Sequence, residues 1–428
     1  MIVEAVFSSA GLAWTDPGTV LPVFIGLLGG STVLVGLVPV LMQIGWILPQ
    51  LPIAALVGHV PERRPYLRWG VTIGRLPFLA FVAYLWVAGT TNPAAVLLFL
   101  LLGYFAMALG NGFIAVPWQD LVAKSIPSGL RGRFFGLMQF SCAVMAIGVG
   151  FVVRWALGPS GAHFPTNYEI LFTLTALFWT ISIIMWWVVR EPIRPVLDRP
   201  ESVREIVAGI LPLLRRQRAV RSLVAIEMLG IGLCLAAPFY MVYATRELHI
   251  APQMAGVYIW AATLGNAISS LLWAHLNDRR GPRGALRGGA MFVVLAPALA
   301  VLVPLIVGRT PVLPYAYALV FLISGSSQNG LWMGINTYLF DLASHEERHR
   351  YVAILSTLAA PGALLPLVVG VLLRFLPYPA VFLLMAAGGA VVWATAWRMP
   401  LPTVLPAGSV ISGPARDEGS REQEDEPS

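Results

Sequence analysis

The stretch LVGHVPERRP at residues 56–65 returns as LWAHLNDRRG at residues 272–281. Working outward, Pro22 and Pro238 stand at the same offset of 216 positions. About half of a 428-residue chain separates the copies, so the sequence reads as a duplicated half. Each copy closes a long apolar run with an acid and two arginines, Glu62-Arg63-Arg64 in the first and Asp278-Arg279-Arg280 in the second. Charge at the end of such a run is how a membrane helix meets the polar boundary.

Composition points the same way. The chain is 57% hydrophobic and only 11% charged, with a mean hydropathy of +0.76. A soluble globule of this length lacks the interior to absorb so much apolar surface. The solvent is therefore lipid. A net charge of +7 would suggest nucleic acid in a soluble chain. Here the charges sit between apolar runs and mark topology, so no nucleic-acid partner is expected. Cys142 and Cys234 both fall inside apolar runs, which argues against a disulfide framework. Residues 1–4 carry no basic n-region, so the first apolar stretch is expected to stay as an anchor.

With about 20 residues per crossing, the sequence predicts an all-α integral membrane protein of twelve transmembrane helices in two pseudo-symmetric six-helix halves. Expected spans are 3–28, 32–58, 67–89, 94–124, 132–157, 168–190, 219–245, 253–275, 284–307, 312–342, 350–375 and 378–399. Residues 1–190 form the first half and 219–399 the second. Asp16-Pro17-Gly18 interrupts span 1, and an alternative start at Gly18 stands beside the longer reading.

Twenty-three of the 28 basic residues lie in alternate loops or the tail. Arg154, Arg246, Arg309 and Arg374 lie on the other side, and Arg75 lies within span 3. The positive-inside rule places the crowded side, and with it both termini, in the cytoplasm, the protein being multi-pass in the cell (inner) membrane. Residues 191–218 join the halves. Ser202 and Glu205 form a capping-box pattern ahead of Ile206, Val207, Ile210 and Leu211, which predicts a short interfacial helix. Residues 400–428 form a cytoplasmic tail, acidic and expected to be disordered from about 413.

At this point the chain resembles the major facilitator superfamily of secondary transporters. The family's loop between spans 2 and 3, repeated between 8 and 9, reads Gly, three residues, Asp, a basic residue, one residue, Gly, then basic residues. Ala274, Asp278, Arg279, Gly281 and Arg283 follow it with Ala for the first Gly; Gly58, Glu62 and Arg63 follow it loosely, with Pro65 for the second Gly. The resemblance covers about 400 residues and implies a transporter of small solutes, with no cofactor and no catalytic residue.

The chemistry of those loops can be read without the family. Glu62 or Asp278 can accept from the free N–H groups of a neighbouring helix start, while Arg63 or Arg279 can reach an acid across the bundle. Candidate acids are Asp120 and Asp341, each followed by an arginine pair, Arg131 with Arg133 and Arg348 with Arg350. These residues form an expected cytoplasmic gate. The bland alternative is a rim of solvated membrane-edge charges.

The resemblance implies that spans 1, 4, 7 and 10 line the transport cavity, and these spans carry unusual polarity. Asp16, Asn111, Glu227, Gln328 and Asn329 are the candidates for substrate or coupling-ion contact, because a polar group at membrane depth is costly unless solvated or paired. Pro17 and Gly18 open the helix beside Asp16, although a turn residue at a wet helix start reads the same way. Glu227 can also snorkel, and Asn111 and Asn329 can serve helix packing. Arg75 either pairs with an acid or snorkels. Gln50 in span 2 and Asn266 in span 8 stand at the repeat offset and form a second pair of candidates. Tyr240, Trp118 and Trp332 offer aromatic surface for an amphipathic or aromatic solute. The partners expected are thus a small-molecule solute, protons or another coupling ion, and membrane lipid.

Two departures from the family bear on mechanism. Drug–proton antiporters of the superfamily carry Gly-Pro in span 5, where this chain has Ala146-Ile147-Gly148-Val149-Gly150, and an arginine within span 4, which is absent here. Proton coupling would instead run through Asp16 or Glu227. Efflux of amphipathic compounds is favoured over sugar or metabolite uptake, on the aromatic and apolar character of the cavity spans. A transport-dead receptor has the same sequence signature. His345-Glu346-Glu347-Arg348-His349 matches the zinc-peptidase pattern His-Glu-x-x-His and raises a membrane metalloprotease. A third ligand downstream is missing before the tail, and Ser344 with Glu347 explains the same residues as a capping box, so no metal site is expected.

Overall fold

The computed structural model describes residues 1–57, 60, 62–191, 214, 217–342 and 348–400. Among them every regular element is a helix. The predicted interfacial helix at 202–211, the tail beyond residue 400 and the peptidase-like residues 345–347 lie outside the described residues.

Span 1 comprises Ile2–Trp14 and Val20–Leu27, and span 2 comprises Thr32–Ile47 and Gln50–Val57. Spans 3 to 6 are single helices, Arg64–Ala88, Pro93–Ser125, Ser128–Ala156 and Thr166–Val188. Span 7 runs from Arg218–Ile226 through a π-helical turn at Glu227–Ile231 to Pro238–Arg246. Spans 8 and 9 are Met254–Arg280 and Pro282–Val307. Span 10 is Leu313–Ala316 followed by Ala318–Leu342, span 11 runs Arg348–Ala359, Ala360–Leu364 and Leu365–Leu372, and span 12 is Tyr378–Trp397.

Nine of the described helices are long and apolar enough to cross a membrane. Spans 1 and 2 fall outside that number because each is cut into shorter pieces. Span 10 falls outside it because Ser324, Ser326, Ser327, Gln328, Asn329 and Asn336 dilute its apolar run. The breaks have local causes. Pro17 and Gly18 interrupt span 1, Pro49 follows the end of the first piece of span 2, and Pro361 with Gly362 sits in the 3-10 turn of span 11. Clean ends have causes too: Asn92 accepts from the Ala95 N–H, and Gly89, Gly281 and Gly308 turn the chain with positive φ.

Within the first half, span 4 carries spans 2 and 3, and span 6 packs on spans 1 and 3. In the second half, span 10 carries spans 8 and 9, and span 12 packs on span 9. Both crossings of the third and fourth helix of a half bring backbones together at glycines, Gly74 with Gly110 and Gly289 with Gly330. The halves meet through spans 2 and 11, 5 and 8, and 1 and 7. Outward faces are apolar and exposed, as at Val87 (89%), Leu305 (74%) and Ile306 (79%), which suits contact with acyl chains rather than water.

The sixth helix of each half ends the same way. Arg68 donates to the carbonyls of Trp186 (3.3 Å) and Trp187 (2.6 Å), with its guanidinium 5.1 Å from the Trp187 ring. Arg287 donates to Ala396 (3.4 Å) and Trp397 (3.1 Å), with its guanidinium 4.3 Å from the Trp397 ring. A cation thus satisfies the orphan carbonyls of a helix C-terminus in both copies.

Candidate functional site

At the end of the first half that carries the arginine-rich loops, the chain ties a charged knot. Arg63 Nε donates to Asp120 Oδ2 at 2.9 Å, and Lys124 Nζ reaches the same oxygen at 2.9 Å. Lys124 also lies 3.3 Å from Glu191 Oε1. Glu191 Oε2 accepts the backbone N–H groups of Arg63 and Arg64, both at 2.7 Å. Glu191 therefore satisfies the start of span 3, the task foreseen for Glu62. Glu62 instead pairs with Arg64 at 3.1 Å. The Glu191 side chain is only 1% exposed while that of Asp120 is 36% exposed, so the knot is buried at its Glu191 side and open at its Asp120 side, and each carboxylate meets several donors. Glu191 escaped sequence reading because it sits one residue into the stretch read as linker.

The second half has no such knot among its described residues. Asp278, Arg279 and Asp341 are exposed, and no ion pair among the described residues involves them. The backbones of Arg131 and Arg348 begin spans 5 and 11, and their side chains lie outside the described set. The structure thus brings Arg63 together with Asp120, and leaves Asp278, Arg279 and Asp341 at a solvated rim.

At the opposite end the halves are seamed together. Thr32 Oγ1 donates to the Gly370 carbonyl (2.7 Å), Arg246 Nη2 to the Gly30 carbonyl (3.2 Å) and Trp260 Nε1 to the Ile147 carbonyl (2.8 Å). Close backbone approaches reinforce these bonds. Gly36 lies against the Pro366 carbonyl, Gly370 against that of Thr32 and Gly256 against that of Gly150, where any Cβ would collide. Phe151 packs on Trp260 with ring centroids 4.3 Å apart.

Between rim and seam stand the polar candidates. Asp16 sits in the break of span 1, where its Oδ1 accepts from the Gly18 N–H (3.0 Å) and the Thr19 hydroxyl (2.8 Å). The neighbouring Thr15 is held from span 4 by the Tyr104 hydroxyl, which donates to the Thr15 carbonyl at 2.8 Å and contacts its Oγ1. Asp16 is half-buried and acts at once as turn former and as a carboxylate near the middle of the span. Glu227 opens the π-helical turn of span 7, and its Oε2 is a buried oxygen with no hydrogen-bond partner. π-turns are frequent at functional sites and buried carboxylate oxygens are usually bonded, so Glu227 stands out among the candidates by its surroundings.

The remaining candidates are mostly occupied locally. Asn111 contacts Met107 Sδ at 3.0 Å on its own helix, and Gln50 donates to the Trp46 carbonyl at 2.9 Å. Asn329 donates to the Asn266 carbonyl (3.2 Å) and Ser270 Oγ (2.9 Å), so it fastens span 10 to span 8. Gln328 and the Asn266 side chain are exposed. Tyr240 is buried beside Phe382, with ring centroids 5.2 Å apart, and lines a small crevice with Cys234, Ser324 and Ser327. Trp118 packs on Phe135, while Trp332 is 64% exposed.

Arg75 pairs rather than snorkels. It is 1% exposed and lies 3.8 Å from Glu4 Oε1, donates to Ser8 Oγ at 2.7 Å and to the Trp179 carbonyl at 3.3 Å. Ser182 donates to Glu4 Oε1 at 2.7 Å. Glu4 and Ser8 stand one turn apart on one face of span 1, but nothing local in the sequence joins them to an arginine 67 residues on from Ser8.

Comparison with known proteins agrees with this architecture. The sequence model of the Major Facilitator Superfamily matches residues 223–416. Two curated proteins, uncharacterized protein Rv2209 of Mycobacterium tuberculosis (strain ATCC 25618 / H37Rv) and uncharacterized protein Mb2232 of Mycobacterium bovis, are each 25% identical over 259 residues. The match spans 59% of this chain and 48% of theirs, so the chain aligns with about half the length of these relatives. Among solved structures, a D-xylose–proton symporter superposes with a TM-score of 0.69 at 14% identity, covering 94% of this chain and 99% of its own. The nucleoside transporter NupG gives 0.67 at 14% identity over 93% and 98%. A bacterial homologue of the iron transporter ferroportin, in an inward-facing state, gives 0.65 at 16% identity over 93% and 97%. These neighbours share the fold, and they are transporters rather than enzymes.

Proposed function

We propose that this chain is a carrier of the Major Facilitator Superfamily, whose sequence model matches residues 223–416, and that it moves a small organic solute across the cell membrane by alternating access, with its basic end and both termini in the cytoplasm. One observation carries the reading: hydrogen bonds and glycine contacts seam the halves at the end opposite the basic loops, while the charged knot at the basic end lies wholly within the first half. Two rigid halves that close at one mouth form one state of a rocking carrier. Glu62 and Arg63 at the knotted end, with Asp278 and Arg279 at the rim, would then close the cytoplasmic mouth in the other state.

The coupling ion is a proton or another cation, taken by Glu227 or Asp16. Glu227 is the stronger candidate, since its Oε2 has no partner whereas Asp16 is already engaged by Gly18 and Thr19. Tyr240 at the crevice between the helices of the second half, and the scarcity of fixed charge on the cavity spans, favour export of amphipathic compounds over sugar or metabolite uptake. The test is flux in proteoliposomes across a chemically diverse panel, with and without an imposed pH gradient. Saturable flux of at least one compound class, reduced by Glu227→Gln, is expected. Binding without flux for every compound would instead favour a transport-dead receptor of the same fold.

A further inference from the structure

Spans 2 and 3 both pack along span 4, and toward the basic end they part around a cavity of about 570 Å³. Span 4 supplies its floor through Ala106, Leu109 and Phe113, span 3 one wall through Tyr66 and Ile73, and Pro49 closes it where span 2 breaks. No lining residue carries a charge. Water needs two to four polar partners to reside in a cavity, and these walls cannot provide them. Ile73 (62% exposed) and Trp69 (55%) stand at its lip, on the outward face that meets lipid.

The dimensions select the occupant. The wall runs from Pro65 to Pro77 on one helix, which is about 18 Å at ~1.5 Å per residue. One leaflet of a hydrocarbon core about 30 Å thick is about 15 Å deep. The groove therefore reaches from the membrane boundary beside Arg63 and Arg64 to the midplane, the path of one extended acyl chain.

The second half shows what the same place looks like when the protein fills it itself. There span 8 sends the Trp273 ring between spans 9 and 10, where it is 1% exposed, donates to the Ser326 carbonyl at 3.0 Å and packs on Phe292 at 5.1 Å. Gly288 and Gly330 make room for it, since a Cβ at either would run into the indole. Position 57 in the first half, at the repeat offset from Trp273, is a valine.

We propose that the groove between spans 2, 3 and 4 is a seat for one acyl chain of a phospholipid from the leaflet on the basic side of the membrane. The chain takes the place that Trp273 occupies in the second half. Bound there, it props spans 2 and 3 apart while both remain on span 4.

The probe is a phosphatidylglycerol or phosphatidylethanolamine with a diazirine midway along one acyl chain, reconstituted with the full chain in liposomes, irradiated and mapped by peptide mass spectrometry. Adducts on residues 65–77 and 106–113 should exceed those on the exposed face of span 9 (Leu302, Leu305, Ile306) by about fivefold or more. Ala106→Phe, which fills the floor, should bring them down to the span 9 level, and Leu109→Trp provides a second filling change if the first does not fold. Equal labelling of the groove and span 9 in the unaltered protein would overturn the proposal. So would displacement of the adducts by an excess of a transported amphipathic compound, which would make the groove a solute site instead.

Discussion

At the basic end of the first half, Arg63, Asp120, Lys124 and Glu191 are joined in one network around the start of span 3. At the basic end of the second half the contacts run to carbonyls instead: Arg283 donates to Met399 (3.0 Å) and the Tyr338 hydroxyl to Pro400 (2.9 Å). The duplicated frame survives in the arginine caps of spans 6 and 12 and in the glycine crossings. What diverged is where charge is spent: the first half is locked by ion pairs, and the second keeps Asp278 and Arg279 exposed. The same divergence appears higher up, where a groove in one half faces a tryptophan plug in the other.

The contrast predicts unequal responses to mutation. Glu191→Ala takes the accepting carboxylate from two helix N–H groups and leaves Lys124 with Asp120, so unfolding in detergent should lose about 3 kcal/mol. Arg283→Ala, which removes one bond to a carbonyl, should lose about 1 kcal/mol by the same measurement. Equal losses would mean that the knot is no stronger than the caps.

The seam should give next. Arg246→Gln removes one charge-assisted bond between the halves, worth about 1.5 kcal/mol, or roughly a tenfold shift toward an open seam. Thiol labelling of Thr32→Cys, in a background without Cys142 and Cys234, should rise accordingly from the face opposite the basic loops. An unchanged rate would show that the glycine contacts alone hold the mouth.

At the rim, Asp278→Asn should lower solute flux several-fold while leaving stability within about 0.5 kcal/mol, as expected for an exposed side chain. Flux at the parental rate would return Asp278 to a merely solvated edge. The smallest effect belongs to His345→Gln with His349→Gln, which should leave flux within about a factor of two if these residues only begin span 11. Near-stoichiometric zinc in the unaltered protein, lost in the double variant, would reinstate the peptidase reading.

Much of this frame is legible in the sequence because the bilayer constrains it. Apolar runs of fixed length, arginine-crowded loops and a repeat at 216 positions already predict an all-helical membrane bundle in two halves. The pairing of Arg63 with Asp120 is readable too, as an arginine and an acid at neighbouring helix ends. The breaks in spans 7 and 11 are less so. Pro238 and Pro361 announce irregularity, but the π-turn that isolates Glu227 arises where spans 7 and 11 press backbone on backbone at Met228 and Gly362. Contacts distant in sequence stayed hidden for the same reason. Neither Glu4 with Arg75 nor Glu191 with the start of span 3 leaves a periodic trace, because each depends on how three helices meet. Asn329 shows how polarity on a cavity span reads two ways: the sequence leaves ligand contact and helix packing both open, and in the structure its amide nitrogen bonds to span 8.

The central claim is that the two mouths open in turn. Spin labels at Ser160→Cys and Ala251→Cys report on the seamed end of spans 5 and 8, and labels at Leu137→Cys with Leu271→Cys, both exposed, report nearer the basic end. Distance distributions measured by electron–electron resonance in lipid nanodiscs, over a range of pH and with transported compound added, should show two populations for each pair. The short population at one end should grow as the short population at the other declines. A single distance for both pairs under every condition would contradict alternating access in this protein.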